Sequence, residues 1–188
     1  YTRQQFFNRL ILNAGLRYEN NSVYGNELIP MIGVSYIHSD ITSFKASASK
    51  GFRSPTVMEM YLYAPNPNLQ PERMMNYEIS WLQTLLNNKL QFELTGFWVK
   101  GENLIQVVPP LITMRQNAGT FNNKGIELSA KYIIQKGLML HGNYSYISTE
   151  KAVLAAPRHQ ANLSLNYAHK VWNVNIATQF IDRLYTRI

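Results

Sequence analysis

Polar and apolar residues alternate one for one along several stretches of this chain, and no other feature limits its fold as tightly. In "KLQFELTGFWV", Leu90, Phe92, Leu94, Gly96 and Trp98 fall on one side, and Lys89, Gln91, Glu93 and Thr95 on the other. "GIELSAKYI" separates Ile126, Leu128, Ala130 and Tyr132 from Glu127, Ser129 and Lys131. "QANLSLNY" and "WNVNIATQF" repeat the pattern, with apolar sets Ala161, Leu163, Leu165, Tyr167 and Trp172, Val174, Ile176, Phe180. Successive side chains of a strand point to opposite faces, so each stretch reads as a strand with one apolar and one polar face. A helix would put the charges of Lys89 and Glu93 on the face of Leu90 and Phe97, and no capping box is read ahead of the apolar runs.

The pattern predicts an all-β chain with strands at about 4–19, 29–37, 41–51, 73–86, 89–105, 112–134, 138–149, 157–168 and 171–181. Tight turns fall at 38–40, 87–88, 135–137 and 169–170; longer connectors fall at about 20–28, 52–72, 106–111 and 150–156. Short and long connectors in alternation are what an antiparallel up-and-down meander gives when one end is trimmed and the other elaborated. The strands exceed the usual length of about 5–6 residues and match the ~9–11 of a tilted membrane strand. Tyr36, Tyr132, Tyr167 and Trp172 lie toward short turns, and Tyr18, Tyr77, Trp98, Tyr144 and Tyr146 toward the other end. Two aromatic levels suit two membrane–water interfaces. The many polar residues of the opposite face need a watery or plugged lumen. The expected fold is a partial transmembrane β-barrel of about nine or ten strands, facing outer-membrane lipid. The alternative is a soluble β-sandwich binding module, in which Trp98, Tyr132 and Trp172 would be buried against a second sheet.

Composition narrows function mainly by exclusion. The chain has 188 residues, net charge +7 and no cysteine. Its Lys and Arg residues are spaced singly, as on a solvated surface, so nucleic acid is not an expected partner. Disulfides and thiol chemistry are absent. The four histidines (His38, His141, His159, His169) are dispersed, and no metal site or cofactor is expected. No Gly-x-Ser-x-Gly, His-Glu-x-x-His or Walker loop occurs, so the chain does not read as an enzyme.

The connector at 52–72 is unusual: it carries Pro55, Pro65, Pro67 and Pro71 together with Phe52, Tyr61 and Tyr63. Its motifs are Phe52-Arg53-Ser54-Pro55-Thr56, Glu59-Met60-Tyr61, Asn66-Pro67-Asn68-Leu69 and Pro71-Glu72, followed by Tyr77-Glu78. Downstream, "RQNAGTFNNKGIELSAKY" supplies Asn117, Gly119, Gly125 and Glu127, and "APRHQANLSLNY" opens a strand. In these motifs the chain resembles the TonB-dependent outer-membrane receptors over nearly its whole length. The resemblance implies a complete barrel of about 22 strands with a plugged lumen, of which this chain supplies part of the latter half. It further implies uptake of a scarce nutrient (siderophore-bound iron, cobalamin, haem or a glycan) driven by the inner-membrane TonB complex.

No plug domain or TonB box is recognised in the chain, which reads as a piece of a longer protein that would not close a native barrel by itself. The haem receptors of this family carry a His between the two Pro motifs, and "TVMEMYLYAP" has none. The long connector is expected to be an extracellular loop. Its motif residues are read as structural, with Arg53 pairing to Glu59 or Glu72. Arg53, Tyr61 and Tyr63 are candidate ligand contacts. Gly125, on the polar face with Glu127, is a candidate for close approach by the plug.

Overall fold

The computed structural model describes residues 1–62, 65–107, 114–150 and 156–184. Ten antiparallel strands form one sheet in strict chain order. They are β1 (Thr2–Phe6), β2 (Leu10–Asn21), β3 (Gly25–Ser39), β4 (Thr42–Arg53), β5 (Glu72–Leu85), β6 (Leu90–Val107), β7 (Arg115–Gln135), β8 (Leu138–Thr149), β9 (His159–His169) and β10 (Trp172–Asp182). One short helix, α1 (Val57–Tyr61), interrupts the connector between β4 and β5. Among the described residues β1 pairs only with β2 and β10 only with β9, so the sheet is open.

The register carries the alternation from strand to strand. On one face, Leu10, Tyr36, Phe44, Trp81, Leu94, Leu128, Tyr144, Ala161 and Phe180 are successive cross-strand partners. On the other, Ser35, Lys45, Ser80, Thr95, Glu127, Ser145 and Gln160 form the matching row. Among the described residues no second sheet covers the apolar face. Ile32, Ile79 and Ile176 are 60%, 64% and 64% exposed in mid-strand, and Trp98 and Trp172 are 40% and 67% exposed. A sandwich would bury these side chains. An apolar outer wall with a polar concave side is the pattern of a membrane barrel.

The polar side is internally bonded as well as solvated. Ser80 and Thr95 share a hydroxyl hydrogen bond of 2.8 Å, Asn162 donates to Asn143 at 2.8 Å, and Lys45 approaches Glu93 at 3.6 Å. Outer-face aromatics sit at two heights. Tyr132 pairs with Leu90 beside the short turn, and Trp98 pairs with Tyr77 eight residues further along β6. At ~3.3 Å per residue and a tilt near ~40°, that separation is about 20 Å, close to the ~25 Å apolar band of such barrels.

Three expectations need correction. The strand expected at 4–19 is two strands broken by a turn, where Phe7 and Asn8 take φ of +49° and +53°. A bulky aromatic at a left-handed turn position gave no turn signal. The long connector expected at 20–28 is instead a tight turn at 22–24, because Glu19↔Glu27, Asn20↔Asn26 and Asn21↔Gly25 continue the ladder. Polar residues there extend the hairpin rather than end it, and Gly25 takes φ +84°. The connector expected at 52–72 in an all-β chain holds a short helix with its own capping box: Thr56 caps α1 and Glu59 reaches back to the Thr56 N–H. Much of the connectors expected at 106–111 and 150–156 lies outside the described residues.

Candidate functional site at the sheet rim

The chain's small apolar core lies under the connector between β4 and β5. Met60 and Leu69 are 3% and 1% exposed, and Pro71 is fully buried. Around this core the motif residues form a polar lock. Arg53 ends β4 and Glu72 begins β5, directly opposite in register. The guanidinium donates from Nε and Nη2 to the two Glu72 oxygens, each at 2.7 Å. Its Nη1 donates to Glu59 Oε2 at 3.1 Å. Glu59 in turn accepts from the Thr56 N–H at 2.8 Å, and its own N–H donates to the Thr56 hydroxyl at 3.2 Å. One carboxylate therefore caps the helix and holds the strand-end arginine.

The Asn-Pro-Asn-Leu segment is tied to distant sequence. Asn66 Nδ2 donates to the Arg115 carbonyl at 2.8 Å, while its Oδ1 accepts from the Asn68 N–H at 3.1 Å. Asn117 exchanges bonds with Gln70, accepting from its N–H at 2.7 Å and donating to its carbonyl at 2.8 Å. The same amide donates to the Asn103 carbonyl at 2.8 Å. Asn103 has φ +58° and lies in the bulge where the β6–β7 register shifts. Gly119 faces this bulge; a Cβ there would lie 2.5 Å from Leu104 Cβ. Glu72 Oε1 also accepts from the Ile105 N–H at 2.8 Å, so it links β4, β5 and β6.

The lock is electrostatically poised. It lies past the level of Tyr77 and Trp98, outside the apolar band. The Arg53 guanidinium holds the Glu72 carboxyl below the usual carboxylate range; desolvation opposes this, and the Ile105 N–H reinforces it. For Glu59 desolvation is the largest influence and pushes upward. The Thr56 N–H, the Arg53 guanidinium and the Thr56 hydroxyl outweigh it, leaving a net downward shift. Arg53 is held charged by Glu72, against desolvation, and by Glu59.

A second cluster had no counterpart in the sequence reading. Glu27 of β3, 2% exposed, accepts from Lys50 Nζ at 2.9 Å and from Arg73 Nε at 2.8 Å. It joins the ends of β3, β4 and β5. These three charges meet through their side chains beyond the end of the β3–β4 ladder at Met31↔Ser49, so spacing along the chain carries no trace of them.

Tyr61 is 51% exposed at the end of α1, beside Val57, Met58 and Leu62, which are similarly open. Tyr63 lies outside the described residues. Phe52 packs near Tyr24, with ring centroids 6.4 Å apart. Gly125 and Glu127 are remote from this lock. Glu127 lines a concave-side recess of about 890 Å³ with Glu78 and Glu93, among Ser and Asn residues. Gly125 lies under the ring of Phe97. Among the described residues no group of three or more His, Asp or Glu is arranged to hold a metal.

A meander of long strands, apolar outside and polar within, with an ion-paired loop at one rim, defines a segment of a barrel of the transmembrane type. The model of the family described as TonB dependent receptor-like, beta-barrel matches residues 2–187, and the chain belongs to that family. The vitamin B12 transporter BtuB of Photobacterium profundum is 25% identical over 92% of this chain and 30% of its own length. BtuB of Vibrio cholerae is 27% identical over 92% of the chain and 27% of its own length. The chain thus spans less than a third of these curated relatives. Among solved structures, the siderophore receptor PirA of Pseudomonas aeruginosa superposes with TM-score 0.78 at 20% identity, over 91% of this chain and 34% of that one. PirA of Acinetobacter baumannii gives 0.80 at 16% identity, over 94% and 32%. The relatives are named as transporters and receptors.

Proposed function

We propose that this chain forms part of the barrel wall of an outer-membrane receptor that takes up a scarce nutrient in a Gram-negative bacterium. In the whole protein a plug domain fills the polar concave side, and the TonB complex supplies the energy. The observation that carries this reading is the rim lock: the family's motif residues meet in space, at the end of strands long enough to cross a bilayer.

The division of labour within the rim follows from which groups are already engaged. Arg53, Glu59 and Glu72 satisfy one another, Asn66 and Asn117 are engaged by backbone groups, and the five act as a frame. Tyr61, on the exposed side of α1, is the ligand contact, with an open apolar surface around it suited to a bulky, partly apolar nutrient. The names of the curated relatives make a corrinoid the first substrate to test and a ferric siderophore the second. The experiment is growth of a receptor-deletion strain, complemented with the full-length gene, on limiting cobalamin or on limiting iron with defined siderophores. Tyr61→Ala should weaken growth on one nutrient at unchanged receptor abundance. Growth independent of the receptor on every nutrient would overturn the reading.

A further inference from the structure

The outer wall bears an amphipathic groove beneath the rim. Gly96 pairs with Ile79 on one side and Ile126 on the other, so the row loses a side chain at its middle. The result is a recess of about 650 Å³, walled by Tyr77, Ile79, Trp98, Ile126 and Tyr146 and reaching Lys124. A Cβ built on Gly96 meets only Ile79 Cγ2, at 3.7 Å, so the dent is open space rather than a close backbone approach. Tyr77 also borders a second recess of about 530 Å³ on the rim side, lined by Lys50, Arg73, Lys100, Glu102 and Asn122.

The charges at this junction are unevenly matched. Lys50 and Arg73 share the single carboxylate of Glu27. Glu102 faces Arg73 in register, and Glu150 accepts from Asn122 Nδ2 at 2.9 Å. Among the described residues Lys100 and Lys124 have no carboxylate partner. Lys100 Nζ lies 3.8 Å from the centroid of the Trp98 ring, which fixes the ammonium at the roof of the apolar recess. Lys124 is the register partner of Trp98 on its other side.

We infer that this groove holds one anionic, phosphate-bearing lipid of the surrounding leaflet. The phosphate sits between Lys100 and Lys124, and an acyl chain lies in the dent over Gly96. Charge complementarity argues for the headgroup. The apolar recess below it, on a wall that faces hydrocarbon, argues for a lipid rather than a soluble anion. The inference rests on the assignment of the apolar face to the bilayer.

The test uses full-length receptor in phosphatidylcholine nanodiscs doped with phosphatidic acid, with retained lipid counted by native mass spectrometry. Wild type should retain phosphatidic acid over phosphatidylcholine. Lys100→Gln and Lys124→Gln should each lower retention about fivefold, Lys100→Arg should preserve it, and Gly96→Leu should lower it by filling the dent. Excess inorganic phosphate should not displace the lipid. Equal retention across all variants would overturn the inference, as would displacement by inorganic phosphate, which would indicate a site for the free anion. Heat-modifiable mobility and nutrient uptake are measured in parallel. A wild-type receptor that assembles and transports but shows no lipid preference sinks this inference alone; one that never inserts in the membrane sinks the receptor reading.

Discussion

The ring of Phe97 lies across Gly125, its register partner on β7, so closely that a Cβ there would sit 2.6 Å from Phe97 Cζ. The same Cβ would lie 2.0 Å from the Tyr146 carbonyl oxygen of β8. Glycine is required by close approach on both sides, one from a side chain and one from backbone. Gly125→Val should therefore impair barrel assembly itself, seen as loss of heat-modifiable mobility, with an overpacking cost of about 1–3 kcal/mol. Adding Phe97→Ala should restore only part of it, because the backbone contact remains. Full assembly of the Gly125→Val receptor would refute this account of the position.

Arg53→Ala should loosen the connector at 54–71 without unfolding the sheet. The guanidinium side chain is 42% exposed, so after allowance for solvent screening the expected cost is about 1 kcal/mol. Leu69→Ala should cost more, about 2–5 kcal/mol, because it empties the small core. Limited proteolysis of intact cells should cut both variants in this connector faster than wild type, Leu69→Ala most of all. Equal cutting rates would show that the lock does not hold the loop.

Acid should open the same loop. Glu59 and Glu72 have carboxyl groups held below their ordinary range in the folded state. A group depressed in this way contributes stability above its unfolded value, near ~4.3, and loses it as pH falls through the folded value. Hydrogen exchange across 54–71 should be flat from neutral pH down to about pH 5, after correction for intrinsic rates. It should then rise below about pH 4. Glu59→Gln and Glu72→Gln should each blunt that rise; an acid response identical to wild type would assign it elsewhere.

Much of the fold was legible because the two faces of the sheet differ in polarity residue by residue, so β6, β7, β9 and β10 announce themselves. The breaks were less visible. The turn after β1 uses Phe7, chosen against its turn propensity, and the β2–β3 hairpin continues on polar residues that resemble loop. α1 was hidden because Thr56-Val57-Met58-Glu59 is short and surrounded by proline. At the site, the motif residues could be named from sequence, but their partners could not. Asn66 bonds to Arg115 and Gln70 to Asn117 across a strand pair, and Glu27 meets Lys50 and Arg73 only in the folded sheet.

Leu128 and Ser129 give a paired test of the two faces in adjacent positions. Leu128→Lys places a charge in the outer row beside Leu94 and Tyr144, at a cost of about 2–4 kcal/mol near the bilayer midplane. Ser129→Lys places it on the polar side, between Glu93 and Asn143. Immunoblots of outer-membrane fractions should show depleted Leu128→Lys receptor and normal levels of Ser129→Lys. The reverse order would invert the sheet.

The central claim, that the apolar face of this sheet meets lipid and the polar face an aqueous or plugged lumen, is tested most directly by cysteine scanning along β7. These 188 residues hold no cysteine, and with any cysteine elsewhere in the receptor replaced by serine each introduced thiol reports alone. In full-length receptor reconstituted in liposomes, single cysteines at 126 to 131 would carry an environment-sensitive fluorophore and be exposed to bromine-labelled lipid. Positions 126, 128 and 130 should be quenched and positions 127, 129 and 131 should not, in a strict two-residue period. Quenching of neither set, or of both equally, would contradict the barrel and return the chain to a soluble β-protein.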